Sequence, residues 1–153
     1  MSWAAWSRSL FIPMGAVWLV IGLLTPFFLN RSTGFISPRV DRDRYGDDAG
    51  KFDDPAVRGL REAIILSLAG MLVVGGGLTI AIAWFALPTG AAWPFWTLVS
   101  AGVLALTYWI LVLRPYWAAG VRTPLSDLPP FMWVTTLLWV AATVAGLVAQ
   151  KSS

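Results

Sequence analysis

The sequence predicts an all-α integral membrane protein whose four transmembrane helices form a small bundle. Its 153 residues are 58% hydrophobic and 12% charged, whereas soluble domains are about 45–50% apolar and about 25% charged. Four apolar stretches, each close to the roughly 20 residues that cross a bilayer, divide the chain. None of these stretches contains Asp, Glu, Lys or Arg. We therefore expect residues 1–153 to form one membrane domain.

The four spans are expected at residues 10–29, 63–87, 91–113 and 131–149. Helices are favoured over a barrel because the stretches do not alternate with a period of two, and because a helix satisfies its own backbone hydrogen bonds in lipid. The first span is longer than the apolar region of a signal peptide and lacks a small-x-small cleavage site, so we expect it to remain as a helix.

Most of the ten tryptophans lie near the expected span ends, where amphipathic rings favour the headgroup region. We interpret them as interfacial anchors rather than as a ligand cage. Trp18, Trp109 and Trp139 lie deeper, and we expect them to face lipid or to fill a seam between helices.

The second and third spans are joined by the short turn 88–90, so they are expected to form a tight antiparallel hairpin. Small side chains let helix backbones approach closely in a membrane. The small residues expected to pack the second span against a neighbour are Gly70, Gly75, Gly76, Gly77 and Ala81. We expect Gly76→Leu or Gly77→Leu to disrupt assembly. The glycine triplet can instead mark a local break that makes room for a ligand, but close packing is the commoner cause.

A polar loop of 33 residues, 30–62, follows the first span and carries seven basic and seven acidic side chains. Near its end, Asp54 and Pro55 form a good helix start, with Asp at the N-cap and Pro at the first helical position. The second helix is therefore expected to begin about two turns before the membrane.

Aspartates in this loop raise a metal hypothesis, with Asp41, Asp43, Asp47 and Asp48 as weak candidate ligands. A calcium-binding loop is excluded because Tyr45 stands where Asp or Asn is needed and Phe52 where a bidentate Glu is needed. Local pairing with the neighbouring arginines in a solvated loop is the commoner arrangement. We expect no metal and no cofactor.

The third loop, 114–130, is short and rich in proline, which fixes a non-helical path along the membrane surface. Arg114 and Arg122 in this loop are expected to contact lipid headgroups or a partner, or to pair with the aspartates of loop 30–62.

The distribution of basic residues predicts the orientation. Nine Lys and Arg side chains lie on the side of the two long loops and two on the side of the termini. The positive-inside bias then places loops 30–62 and 114–130 in the cytoplasm and both termini outside. Nine arginines against two lysines, with abundant Ala, Gly, Val and Trp, indicate a GC-rich and bacterial genome, and hence the inner (plasma) membrane.

Missing residue types restrict the chemistry. Without Cys or His, the chain has no thiolate nucleophile, no disulfide, no imidazole base and no His ligand for zinc or haem. Ionisable side chains inside a membrane usually mark ion paths and proton relays. Because the spans contain none, a proton-coupled transporter and a retinal protein are poorly supported.

Three classes of function remain. We expect first a non-catalytic accessory or scaffolding subunit of a larger membrane complex. The alternative is a homo-oligomeric carrier, channel or binding protein for a lipid-like or apolar small molecule. A lipid-modifying enzyme that uses the Asp-rich loop with magnesium is a distant third, so an enzyme is not favoured. The expected partners are membrane lipids and other integral membrane subunits or a second copy, and not nucleic acid.

Overall fold

The computed structural model describes residues 3–28, 38–46 and 54–151. All regular structure in these ranges is helical, which confirms the predicted all-α class. The α-helices are α1 (Trp3–Phe28), α2 (Pro38–Tyr45), α3 (Pro55–Ala81), α4 (Ala92–Ala118) and α5 (Pro130–Lys151). The four long ones, α1, α3, α4 and α5, are each long and apolar enough to cross a membrane. The chain is therefore a membrane-embedded four-helix bundle.

The bundle has two ends, which we name by the segments found there. The terminal end holds the start of α1, the end of α5 and the turn 87–91, and the loop end holds α2, the start of α3 and residues 119–129. Each long helix extends beyond its predicted apolar span at one end at least, because polar and aromatic residues continue the helix into the interface, where water satisfies the last backbone groups.

The start of α3 agrees with the sequence pattern. Asp54 is its N-cap and Pro55 its first residue. One carboxylate oxygen of Asp54 accepts a hydrogen bond of 2.8 Å from the backbone N–H of Ala56 and one of 3.5 Å from that of Val57. Two otherwise unpaired helix N–H groups are satisfied in this way. Helix α3 thus begins eight residues before Ala63, the first residue of its expected span.

The connection from α3 to α4 consists of residues 82–91. A π-helical turn, Ile82–Ala86, is followed by a single 3₁₀ turn, Leu87–Thr89, and by Gly90 with a φ of 75°. Only glycine adopts that left-handed conformation without strain. The helices α3 and α4 are antiparallel and meet through this turn, but they diverge toward the loop end. The hairpin is therefore closed at its turn and open at the other end.

Helix α1 is the centre of the bundle because it packs along both α3 and α5. Near the terminal end all four long segments meet in one buried apolar cluster, which we call the terminal core: Phe11, Met14, Ala83, Phe95, Leu98 and Ala142. The Ser7 hydroxyl donates a hydrogen bond of 2.9 Å to the carbonyl of Ala142 within this region and so joins α1 to α5.

A second buried cluster, the loop core, lies at the opposite end. Val40 of α2 is 1% exposed and packs against Leu113 of α4 and Leu128 in the segment before α5. The sequence pattern did not predict α2, because a single apolar side chain among charged ones gives no periodic signal. Burial of Val40 fixes this part of the polar loop against the last turns of α4 and the segment before α5.

Candidate functional site

A large cleft lies between α3 and α4, where the two helices diverge. Its volume is about 870 Å³, which falls within the range of roughly 300–1,000 Å³ typical of ligand sites. Helices α1 and α5 form its floor, and the terminal core closes it near Met14. Toward the loop end it reaches Tyr116 and Met132, which pack against the loop core.

The walls of the cleft are almost entirely apolar. The wall on α3 consists of aliphatic and thioether side chains: Ile64, Ile65, Leu68, Met71 and Leu72. Five lining residues on α4 are small or aliphatic: Ala101, Gly102, Ala105, Leu106 and Val112. Met71 is 71% exposed and Tyr108 is 68% exposed, one on each helix. The cleft therefore opens sideways, between α3 and α4, toward the surrounding lipid.

The three deep tryptophans, Trp18, Trp109 and Trp139, all line the cleft. From the sequence they are expected to face lipid or to fill a helix seam, and their position along a cleft is not predicted. Trp139 lies directly over Gly102, where an added Cβ would collide with its indole ring. Its buried indole nitrogen has no hydrogen-bond partner among the described residues. Gly102 thus leaves room for the Trp139 indole against α4.

The two threonine hydroxyls among the lining residues contribute little polarity to the cleft. The Thr135 hydroxyl donates a hydrogen bond of 2.6 Å to the carbonyl of Phe131, and the Thr136 hydroxyl donates one of 2.8 Å to that of Met132. Such bonds to the preceding helical turn satisfy the hydroxyl within its own helix. Among the described lining residues, Arg61 alone carries a formal charge, and it lies at the loop end.

A second arginine lies next to the same end of the cleft. The guanidinium carbon of Arg44, in α2, lies 4.6 Å from the ring centre of Tyr116, which lines the cleft. It also lies 4.9 Å from the ring centre of Tyr45. A guanidinium within about 6 Å of an aromatic face is attracted to it. Burial of Val40 positions α2 so that Arg44 reaches α4.

Among the predicted packing residues, Gly76 lies at the closest seam of the bundle. A Cβ at Gly76 would lie 2.5 Å from the carbonyl oxygen of Gly15 and 2.6 Å from the backbone nitrogen of Leu19. One at Gly22 would lie 2.6 Å from the carbonyl oxygen of Ala69. The backbones of α1 and α3 are therefore in contact along this seam, and the partner of α3 is α1.

The sequence analysis did not identify Gly15 and Gly22. They are spaced by seven residues, as are Ala69 and Gly76 opposite them. Residues seven apart lie on nearly the same face of a helix, and small residues on one face let another helix backbone approach closely. That matched spacing is the feature of the sequence from which the seam between α1 and α3 could have been predicted.

The other predicted packing residues are not in this seam. Gly75 lines the cleft, and a Cβ there would lie 3.9 Å from the Trp18 ring. An added Cβ at Gly70 or Gly77 would meet no atom within 4 Å among the described residues. Ala81 is exposed. Gly70, Gly77 and Ala81 therefore lie on the outer surface of α3.

The charged candidate residues are placed as follows. Arg114 and Arg122 are exposed at the loop end and do not line the cleft. Asp43 is exposed on α2, whereas the Asp41 side chain, Asp47 and Asp48 lie outside what the structure describes. Within residues 3–28, 38–46 and 54–151 no three acidic, His or Cys side chains are grouped closely enough to hold a metal ion.

Comparison of the chain with protein-family models, curated proteins and solved structures found no match in any of the three. An apolar cleft that opens toward lipid, with three indole rings and one charged side chain at its end, suits binding of an elongated apolar molecule.

Proposed function

We propose that this chain is a non-catalytic membrane protein that holds a lipid-like, largely apolar molecule in the cleft between α3 and α4. The single observation that carries this proposal is the cleft itself, with its volume of about 870 Å³ and its apolar walls. The cleft is built from one chain, so no second copy is needed to complete it. The proposal shares its ligand class with the second-ranked expectation, a homo-oligomeric carrier, channel or binding protein, but does not require the homo-oligomer.

Two physical considerations support an apolar occupant. Closing a cleft by moving α3 against α4 gains little in a membrane, because lipid tails are as apolar as leucine side chains. An empty volume of this size would also forfeit dispersion contacts along all its walls. A flexible hydrocarbon chain that enters from the side restores those contacts without any change in the helix packing.

The first test is native mass spectrometry of the purified chain. We expect one lipid-sized molecule per chain to remain bound after detergent exchange removes the loosely associated lipids. Re-addition of lipid to the stripped protein is expected to saturate at the same stoichiometry. A graded series of adducts with no plateau, or complete loss together with the loose lipids, would contradict a specific cleft site.

A second candidate function is that of an accessory subunit in a larger membrane complex. The observation that favours it is the outer surface of α3, where Gly70, Gly77 and Ala81 leave room for the close approach of another helix. A partner helix on this surface would not compete with the cleft, which opens beside it. The two roles are therefore compatible.

We also propose the orientation in which the loop end faces the cytoplasm of a bacterial inner membrane. Nine of the eleven basic residues belong to loops 30–62 and 114–130 of the sequence, and the distribution of Lys and Arg sets the orientation of short-looped membrane proteins. The composition, with nine arginines and two lysines, supports the bacterial origin.

A further inference from the structure

We infer that the cleft takes its lipid from the bilayer leaflet on the side of the loop end, which we call the loop leaflet. The bound molecule is a chain-bearing membrane lipid, with its headgroup at the loop end and the ends of its chains against Trp18 and Trp139. This inference rests on the proposed binding function and adds to it the class of ligand and its orientation. Three observations support it: the depth of the cleft, its closed end and the position of its opening.

The cleft covers the depth of one leaflet. The apolar stretches 63–87 and 91–113 are centred on Gly75 and Gly102, so these glycines mark the middle of the membrane on α3 and α4. Gly75 is the last described lining residue of α3, and the described lining of α4 begins one residue before Gly102. From Ile64 to Gly75 the α3 wall extends about 16 Å along the helix axis. Half of a hydrocarbon core of about 30 Å is about 15 Å, so the apolar walls end at the bilayer midplane.

The end of the cleft at the midplane is closed by two indole rings. Trp139 lies over Gly102, and the Trp18 ring lies 3.9 Å from the position of a Cβ added at Gly75. Both rings pack against the terminal core, where the four long segments meet. Trp139 is also the last described lining residue of α5. A lipid chain that runs down the cleft from the loop end therefore reaches aromatic rings at the midplane and stops there.

The sideways opening lies in the same half of the membrane. Met71 and Tyr108 line the cleft and are 71% and 68% exposed. Met71 precedes Gly75 by four residues and Tyr108 follows Gly102 by six, which places them about 6 Å and about 9 Å from the midplane on the loop side. On the other side of the midplane, the terminal core holds α4 against the π-helical turn that follows α3. The opening formed by the described residues therefore faces the chains of the loop leaflet.

The orientation of the bound lipid follows from the cost of moving a headgroup into hydrocarbon. Burying a polar group without hydrogen-bond partners is unfavourable, and the deep end of the cleft presents the indole of Trp18 and the thioether of Met14. At the loop end the cleft reaches Tyr116, three residues beyond the apolar stretch of α4 and thus at the level of the headgroups. A lipid of the loop leaflet can enter between Met71 and Tyr108 while its headgroup stays at the interface throughout.

The test uses two phosphatidylcholines that carry one diazirine, either close to the ester bond or at the end of the same acyl chain. The full-length, lipid-stripped chain is loaded with one such probe in detergent, so that bulk lipid contributes no label. The complex is irradiated, and mass spectrometry maps the labelled residues. We expect the ester-side probe to label Ile65 severalfold more than Leu72, because Ile65 lies nearer the loop end of the cleft. The chain-end probe is expected to show the opposite ratio.

Gly75→Leu tests whether the chain ends lie at the closed end of the cleft. A leucine at Gly75 would fill the space beside the Trp18 ring and shorten the cleft. It is expected to shift binding severalfold from dipalmitoyl toward dilauroyl phosphatidylcholine, measured by native mass spectrometry of an equimolar mixture. Gly77→Leu is the matched control, because a Cβ there would meet no atom within 4 Å among the described residues. This control is expected to keep the preference of the unmodified chain.

Two results with the unmodified chain would overturn the inference and leave the proposed function standing. One is equal labelling of Ile65 and Leu72 by both probes, and the other is labelling of Leu72 by the ester-side probe and of Ile65 by the chain-end probe. Neither depends on a variant. An unchanged chain-length preference in folded Gly75→Leu would also overturn the inference. Labels from both probes that lie outside the cleft alone would refute the proposed function as well.

Discussion

Replacing Gly76 by leucine is expected to prevent α1 and α3 from packing and to destabilise the bundle by at least about 3 kcal/mol. Even the Cβ of an alanine at this position would lie 2.5 Å from one backbone atom of α1 and 2.6 Å from another. Backbone atoms cannot rotate away as a side chain can, so the two helices must separate. Inserting atoms into a well-packed site costs about 1–3 kcal/mol when side chains can adjust, and more when they cannot. Denaturant titration in detergent, followed by circular dichroism, measures the loss.

Gly77→Leu is the control for this experiment, because Gly77 is the next residue in the same helix and its Cβ would meet nothing within 4 Å. We expect the free energy of unfolding to stay the same or to rise by up to about 1 kcal/mol, since glycine is the poorer helix former. Equal destabilisation by both variants would refute the assignment of Gly76 to the seam. Loss of a larger complex by folded Gly77→Leu would support the accessory role instead.

Ala105→Phe is expected to abolish lipid binding while leaving the bundle folded. Ala105 lies on the α4 wall of the cleft, so a phenylalanine ring there would occupy the space of the acyl chains. The expected readout is the disappearance of the bound lipid in native mass spectrometry. Added lipid should also no longer raise the unfolding midpoint, whereas a ligand at 100 times its Kd stabilises a protein by about 2.7 kcal/mol.

Leu104→Phe is the control for Ala105→Phe. It shows whether loss of lipid binding comes from filling the cleft or from adding any aromatic ring to α4. Leu104 is the preceding residue, 59% exposed and outside the cleft lining. This variant should bind lipid as the unmodified chain does. If Leu104→Phe and folded Ala105→Phe retain lipid equally, the bound molecule does not occupy the cleft.

The sequence predicted the four spans and the first turn of α3 because these depend on local features. Twenty apolar residues suffice to indicate a membrane helix. Asp54 followed by Pro55 specifies a helix start through bonds within three residues. Neither feature requires knowledge of which helices are neighbours.

The sequence did not predict the cleft, because hydropathy does not distinguish a residue that faces lipid from one that faces another helix. Leu68 lines the cleft and Leu104 does not, yet both occur in uninterrupted apolar runs. Successive helical residues are turned by about 100°, so the consecutive glycines Gly75, Gly76 and Gly77 face different directions. Only the position of α1 shows that Gly76 belongs to the seam and Gly77 to the outer surface.

The most direct test of the cleft site is photo-cross-linking with a phospholipid that carries a diazirine in its acyl chain. The chain in lipid bilayers is irradiated, digested and mapped by mass spectrometry. Labels are expected on residues inside the cleft, such as Leu68, Leu72 and Leu106, and they should disappear in Ala105→Phe. Labels confined to the outer surface of α3, for example Val74 and Leu78, and unaffected by Ala105→Phe would contradict lipid binding in the cleft.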